Sequence, residues 1–217
     1  MTDIDEAMDK ALDEFSKLFR KERKKSIESH KDEKRKANPY MYYPRFFFSE
    51  SDVVYWFIEK LKSELNSKRY EFHTEISIVY PTFDSNLIEK LEHGSGWRAD
   101  LGIFQTGFDA DDGEDRHALY LAEFKYRIVP NTTRIGLGSA KNNLDDIRGK
   151  EVRNLKDAIQ AGITEKGCLV CVDENLFEFD RNKDFTQKLE TEPKDRKLTT
   201  RILGTTLTER KEWAGQK

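Results

Sequence analysis

The chain has 217 residues and a formal net charge of −3, with charged and hydrophobic residues each making up 36%. That length allows one sizeable core and one appendage, and the charge content suits long solvated helices or tails. A net charge so close to neutral excludes a global basic field for nucleic acid. The start lacks a signal-peptide pattern and no apolar run is long enough for a membrane span, so the cytoplasm is the expected location.

Residues 2–19 place Ile4, Met8, Ala11, Leu12, Phe15, Leu18 and Phe19 three or four apart, the pattern of an amphipathic helix. Its apolar stripe suits either a homodimer contact or packing on the core. Residues 20–36 follow with nine Lys or Arg against four acids, a local balance of +5. This run reads either as a solvated helical extension or as an arm that contacts phosphates through Lys21, Arg23, Lys24 and Lys25. Residues 38–48 are rich in aromatics and broken by Pro39 and Pro44, so an extended segment is expected. Core or interface packing is its expected use, with base stacking as the alternative.

Ser49 is a good N-cap, with Asp52 three residues on. The helix it opens has Val54, Phe57, Leu61 and Leu65 on one face, and Glu50, four residues before Val54, starts that inward face. Residues 70–81 read as a strand, with Phe72, Thr74, Ile76 and Ile78 on one side and His73, Glu75 and Ser77 on the other. A connection with a short helical pattern around Leu87–Leu91 leads to the stretch from Trp97 to Arg127.

That stretch holds two strands. In the first, Ala99, Leu101 and Ile103 alternate with Arg98, Asp100 and Gly102. The second, from Leu119 to Arg127, is apolar on both faces, the mark of a covered central strand. Glu123 and Lys125 leave one of its faces together, while Tyr120, Ala122, Phe124 and Tyr126 leave the other. Buried charges need partners. If the strands are neighbours, Asp100 adds a second carboxylate beside Glu123, and two acidic oxygens with an adjacent lysine suit a hard divalent cation. The acidic interruption between them has no register of a calcium loop and reads as an exposed excursion.

From about Ala140 to Ala161, Leu144, Ile147, Glu151/Val152, Leu155 and Ile159 predict a long helix closed by Gly162. Its exposed face carries Lys141, Arg148, Lys150, Arg153 and Lys156. A strand over 167–173 follows. Cys168 and Cys171 fall on its opposite faces, as core thiols and not as a metal clamp. The four histidines show no zinc spacing with them. Residues 181–217 read as a charged tail with little core character before Leu198–Leu203.

Asp100, followed on the next strand by Glu123-Phe124-Lys125, resembles the signature of the PD-(D/E)XK nuclease superfamily, whose fold is restriction-endonuclease-like. The family's proline-aspartate is Ala99-Asp100 here, and an arginine two residues before the aspartate, as at Arg98, is common in it. The resemblance covers about the middle two thirds of the chain and is carried by these two strands. It implies an α/β fold, a mixed β-sheet flanked by helices with an αβββαβ core, here behind an N-terminal helical extension. The expected division is an arm over 1–36, a core over 37–180 and a tail over 181–217.

The resemblance further implies hydrolysis of phosphodiester bonds, with DNA as the expected partner and Mg2+ or Mn2+ as the cofactor. Asp100, Glu123 and the backbone carbonyl of Phe124 would hold the metal, with Glu50 or Glu75 completing the shell. Glu50 can equally serve the helix dipole. Lys125 would orient or deprotonate the attacking water, or stabilise the charge that develops on phosphorus. Arg98 and Lys141 join the basic arm as candidate phosphate contacts. Two other classes remain open: a nuclease-fold protein that binds without cutting, and an assembly module whose carboxylates form salt bridges.

Overall fold

A computed structural model describes residues 3–29, 49–66, 68–79, 83, 85–91, 96–107, 117–127, 150–173, 197–204 and 207–215. The expectations for the aromatic run over 38–48, the excursion over 108–116 and Lys141 lie outside them.

The first helix, α1, runs from Asp3 to Glu28, and α2 from Glu50 to Glu64. A reciprocal cap fixes the start of α2. The Asp52 amide donates to Ser49 Oγ at 3.2 Å, and the Ser49 amide donates to Asp52 Oδ2 at 2.9 Å, which satisfies two amides that the helix itself leaves open. Five strands follow, interleaved with helices: β1 (Tyr70–Ser77), α3 (Ser85–Ile88), β2 (Arg98–Gln105), β3 (Tyr120–Arg127), α4 (Val152–Ala161), β4 (Gly167–Asp173), β5 (Leu198–Gly204) and α5 (Leu207–Trp213). They form one sheet in the order β1-β2-β3-β4-β5. The first three strands are antiparallel and the last three parallel, so β3 is the central strand and has one neighbour of each kind.

Each face of this mixed sheet carries a core. On one side α1 and α2 pack against Leu101, Ile103, Tyr120, Ala122, Phe124 and Val170. Phe15 lies 5.0 Å from Trp56 and 5.1 Å from Phe57, and Phe57 lies 5.0 Å from Phe124, so one chain of rings joins both helices to the central strand. The apolar stripe of α1 is therefore buried within its own chain. On the other side α4 sets Val152, Leu155 and Ala158 against Leu121, Leu169 and Cys171. Cys168 faces the first layer and Cys171 the second, both buried and free, as the strand spacing requires.

Two features depart from the sequence pattern. Phe72 packs on the α1/α2 side, but Ile76 and Ile78 pack on the α4 side, so three of the residues expected on one face are divided between two. The cause lies between them: Glu75 has φ 53, a left-handed backbone that breaks the alternation of the pleat. Ile76 then lies across Gly102, where an added Cβ would fall 2.1 Å from Ile76 Cδ1. The second departure is at the C-terminal end. The region expected as a charged tail supplies β5, with Leu198 and Leu203 buried, and α5, whose Glu209 pairs with Arg20 at 3.5 Å. β5 takes the edge of the sheet beside β4, and its sequence mixes Leu198, Ile202 and Leu203 with polar residues.

Candidate functional site

The backbone pairing of β2 with β3 covers Leu101↔Ala122, Gly102↔Leu121 and Ile103↔Tyr120, and goes no further toward Asp100 and Glu123. β3 nevertheless continues to Arg127. The Leu121 amide donates to Lys166 O on the β4 side, so by alternation the amides of Phe124 and Tyr126 face the edge that β2 has left. Two carboxylates take the place of the missing strand. The Phe124 amide donates to Asp100 Oδ2 at 2.6 Å, and the Tyr126 amide donates to Glu50 Oε2 at 3.0 Å. Buried amides must be paired, and here the pairing fixes two acids, one from β2 and one from the start of α2.

On the α4 side of this edge stands Lys125. Its Nζ lies 3.4 Å from Glu123 Oε2, 3.6 Å from Glu50 Oε1, 3.8 Å from Glu151 Oε1 and 3.9 Å from Asp100 Oδ2. Four carboxylates from β2, β3 and the starts of two helices thus surround one ammonium. Glu123 is the most enclosed, 2% exposed, and its Oε1 has no hydrogen-bond partner among the described residues.

The charges do not cancel. Four carboxylates and one ammonium, all ionised, would leave −3 in a half-closed site. Burial pushes the Glu123 carboxyl up to about 9, and the charges of Asp100 and Glu151 push the same way against Lys125. Burial also raises Glu50, opposed by Lys125 and by the Tyr126 amide. For Lys125 burial acts downward, but the surrounding carboxylates outweigh it and hold the group well above the usual lysine range. Burial and the neighbouring carboxylates thus favour the protonated form of Glu123, and the carboxylates favour the ammonium form of Lys125.

Five residues expected in the site come together here: Asp100, Glu123, Lys125, Glu50 and Phe124, the last through its backbone. Glu75 does not join them; it is exposed, at the backbone reversal in β1. Arg98 is exposed at the start of β2. Of the basic arm, Lys21 is exposed, while Lys24 pairs with Glu28 at 3.9 Å and Lys25 with Glu22 at 2.8 Å. Arg23, also expected as a phosphate contact, is 2% exposed and lies on the buried stripe of α1.

Glu151 was not among the expected site residues. Its signal was an acid at an apolar position of the helical pattern, seven residues after Leu144 and four before Leu155. As they stand, no three carboxylate, imidazole or thiolate groups among the described residues are gathered for a metal ion; the oxygens are arranged around the ammonium. The donor set is all oxygen, overcharged and includes one buried oxygen without a partner, and in chemistry it fits a hard divalent cation. No protein-family model, curated protein or solved structure matches the chain.

Proposed function

We propose that the chain is a nuclease of the PD-(D/E)XK type that hydrolyses phosphodiester bonds in DNA with Mg2+ or Mn2+. The observation that carries this reading is the meeting of Asp100, Glu123 and Lys125 on the open edge of β3, with Glu123 Oε1 buried and unpartnered among the described residues. The order α2, β1, α3, β2, β3, α4, β4 supports it as well, since apart from the four-residue α3 it follows the αβββαβ core that the resemblance implies.

Asp100 and Glu123 would hold the metal, with the Phe124 carbonyl, which leaves the strand on the same edge as the amide that Asp100 accepts. A cation held there would supply a Lewis acid for the scissile phosphate and a water of lowered pKa. Asp100 and Glu50 are positioned in advance by the β3 amides, so little reorganisation is needed when charge enters the site. Lys125 works as an ammonium. With carboxylates holding its proton, it stabilises negative charge developing on the phosphorus oxygens and does not take a proton from water. Arg98, Lys150 and Arg153 are exposed on β2 and at the start of α4, where they can meet neighbouring phosphates.

The test is cleavage of duplex, branched and single-stranded DNA with Mg2+, with Mn2+ and with chelator, by the native chain and by Asp100→Asn and Glu123→Gln. The expected result is cutting with either metal, none with chelator, and none by either variant. Intact DNA after incubation of the native chain with both metals, or undiminished cutting by Asp100→Asn, would overturn the reading. A second reading draws on the same ammonium: a cluster whose lysine serves only as counter-ion suits a nuclease-fold protein that binds without cutting. DNA binding with no cleavage under either metal selects it.

A further inference from the structure

We propose that Glu151 is a ligand of the divalent-cation site, a carboxylate supplied by α4 in addition to Asp100 and Glu123; the inference rests on the nuclease reading above. Glu151 precedes the first residue of α4 and its Oε1 stands 3.8 Å from Lys125 Nζ, with 18% of the side chain exposed. The helix that carries it is anchored beneath the sheet by Val152, Leu155 and Ala158, so the carboxylate is delivered by a rigid element.

The four acids differ in what they are free to do. Asp100 and Glu50 each hold a β3 amide. Among the described residues, no backbone amide donates to Glu123 or Glu151. Glu123, only 2% exposed, meets Lys125 through Oε2 and leaves Oε1 without a hydrogen bond of its own, while the Asp100 carboxyl nearby raises its pKa. An anchored pair and an unanchored pair thus face one ammonium. The anchored pair fixes where a cation can sit, and the unanchored pair can turn its oxygens onto it. The buried Glu123 Oε1, which has no partner among the described residues and belongs to a carboxyl on the same ammonium as Glu151, is the second indication, besides the acidity, that something cationic belongs there. With Glu151 the site has enough carboxylate to hold a divalent cation without oxygens from the substrate.

The experiment uses the full chain freed of metal with chelator and then titrated with Mn2+ alone. Free Mn2+ is followed by its paramagnetic resonance signal, and thermal unfolding is followed in parallel. Glu151→Gln should raise the Mn2+ concentration at half saturation about tenfold, the scale seen when groups around a metal are altered. Glu75→Gln should leave it unchanged, and Glu151→Asp, which keeps the charge on a shorter arm, should fall between. Circular dichroism of the metal-free variants should match the native chain. If Glu151→Gln binds Mn2+ like the native chain while Asp100→Asn binds weakly, Glu151 is not a ligand and the nuclease reading stands without it. Should the native chain bind no Mn2+ at millimolar concentration, both fall together. A weakening by Glu151→Asp equal to that of Glu151→Gln, with altered circular dichroism in both, would assign Glu151 to the structure of α4 and overturn the proposal.

Discussion

The two faces of β3 invite comparison, because consecutive residues there meet opposite surroundings. Phe124 is fully buried 5.0 Å from Phe57, inside a set of rings that α1, α2 and the strand complete among themselves. Glu123 and Lys125, its neighbours in sequence, belong to a cluster of four carboxylates gathered on one ammonium, an arrangement with more negative charge than it can neutralise. The apolar face is finished within the chain, and the charged face is not. The difference shows where the fold stores its stability and where it gives some up, as functional sites commonly do.

The largest effect should come from the finished side. Phe57→Ala removes the ring between Phe15 and Phe124 and should cost about 3–5 kcal/mol, lowering the melting temperature by roughly 10 °C or more for a chain of this size. A loss below about 1 kcal/mol would mean that the ring cluster does not anchor the sheet.

The charged side should answer in the opposite direction. The folded-state pKa of Glu123 lies at about 9, above the ordinary 4.5. Folding therefore favours its protonated form: this contribution is fully present below about pH 4.5 and is lost as the pH rises toward 9. Glu123→Gln mimics the protonated side chain and takes up no proton on folding, so the variant freed of metal should be more stable than the native chain at pH 8 by about 2 kcal/mol. Equal unfolding profiles from pH 5 to pH 9, checked by denaturant titration, would show that Glu123 is not strained in the metal-free protein.

A prediction of similar size concerns the seam where β1 changes face. Gly102→Ala would drive a methyl into Ile76 Cδ1 and should cost about 1–3 kcal/mol, read by thermal unfolding. Ile76→Ala in the same background should recover part of the loss.

The smallest expected effect lies on the exposed face of α1. Replacing Lys21, Lys24 and Lys25 by Gln should change stability by no more than about 0.5 kcal/mol, since two of them form only exposed pairs with Glu28 and Glu22. If they contact DNA, the slope of log affinity against log salt should flatten by about 0.9 for every phosphate that is no longer neutralised. An unchanged slope would show that these three lysines do not contact DNA.

Much of the central architecture could be read from the chain. The apolar runs on both faces of β3 place it mid-sheet, the Ser49 cap opens α2, and the spacing of Glu123 and Lys125 puts them on one face. These are local patterns that a strand or a helix start imposes directly. The misses share the opposite property. Glu151 joins the site only because α4 crosses under β3, and more than twenty residues separate the two in sequence. Arg23 stands among lysines and looks like them until the helix is rotated against its partner. The reversal at Glu75 is a single backbone torsion at a residue with no special propensity for it, and β5 is a short strand that follows a long charged run over 181–197.

The open edge of β3 has one more consequence. The amides of Phe124 and Tyr126 are bonded to side-chain oxygens, Asp100 Oδ2 and Glu50 Oε2, where a strand would ordinarily offer carbonyls. A carbonyl acceptor keeps its charge whatever enters a neighbouring site, but a carboxylate does not. Two backbone protons in the middle of the sheet are thus built-in indicators, whose chemical shifts and solvent-exchange rates should respond to protonation or a bound ion before any substrate is present. The site can be watched from its own scaffold.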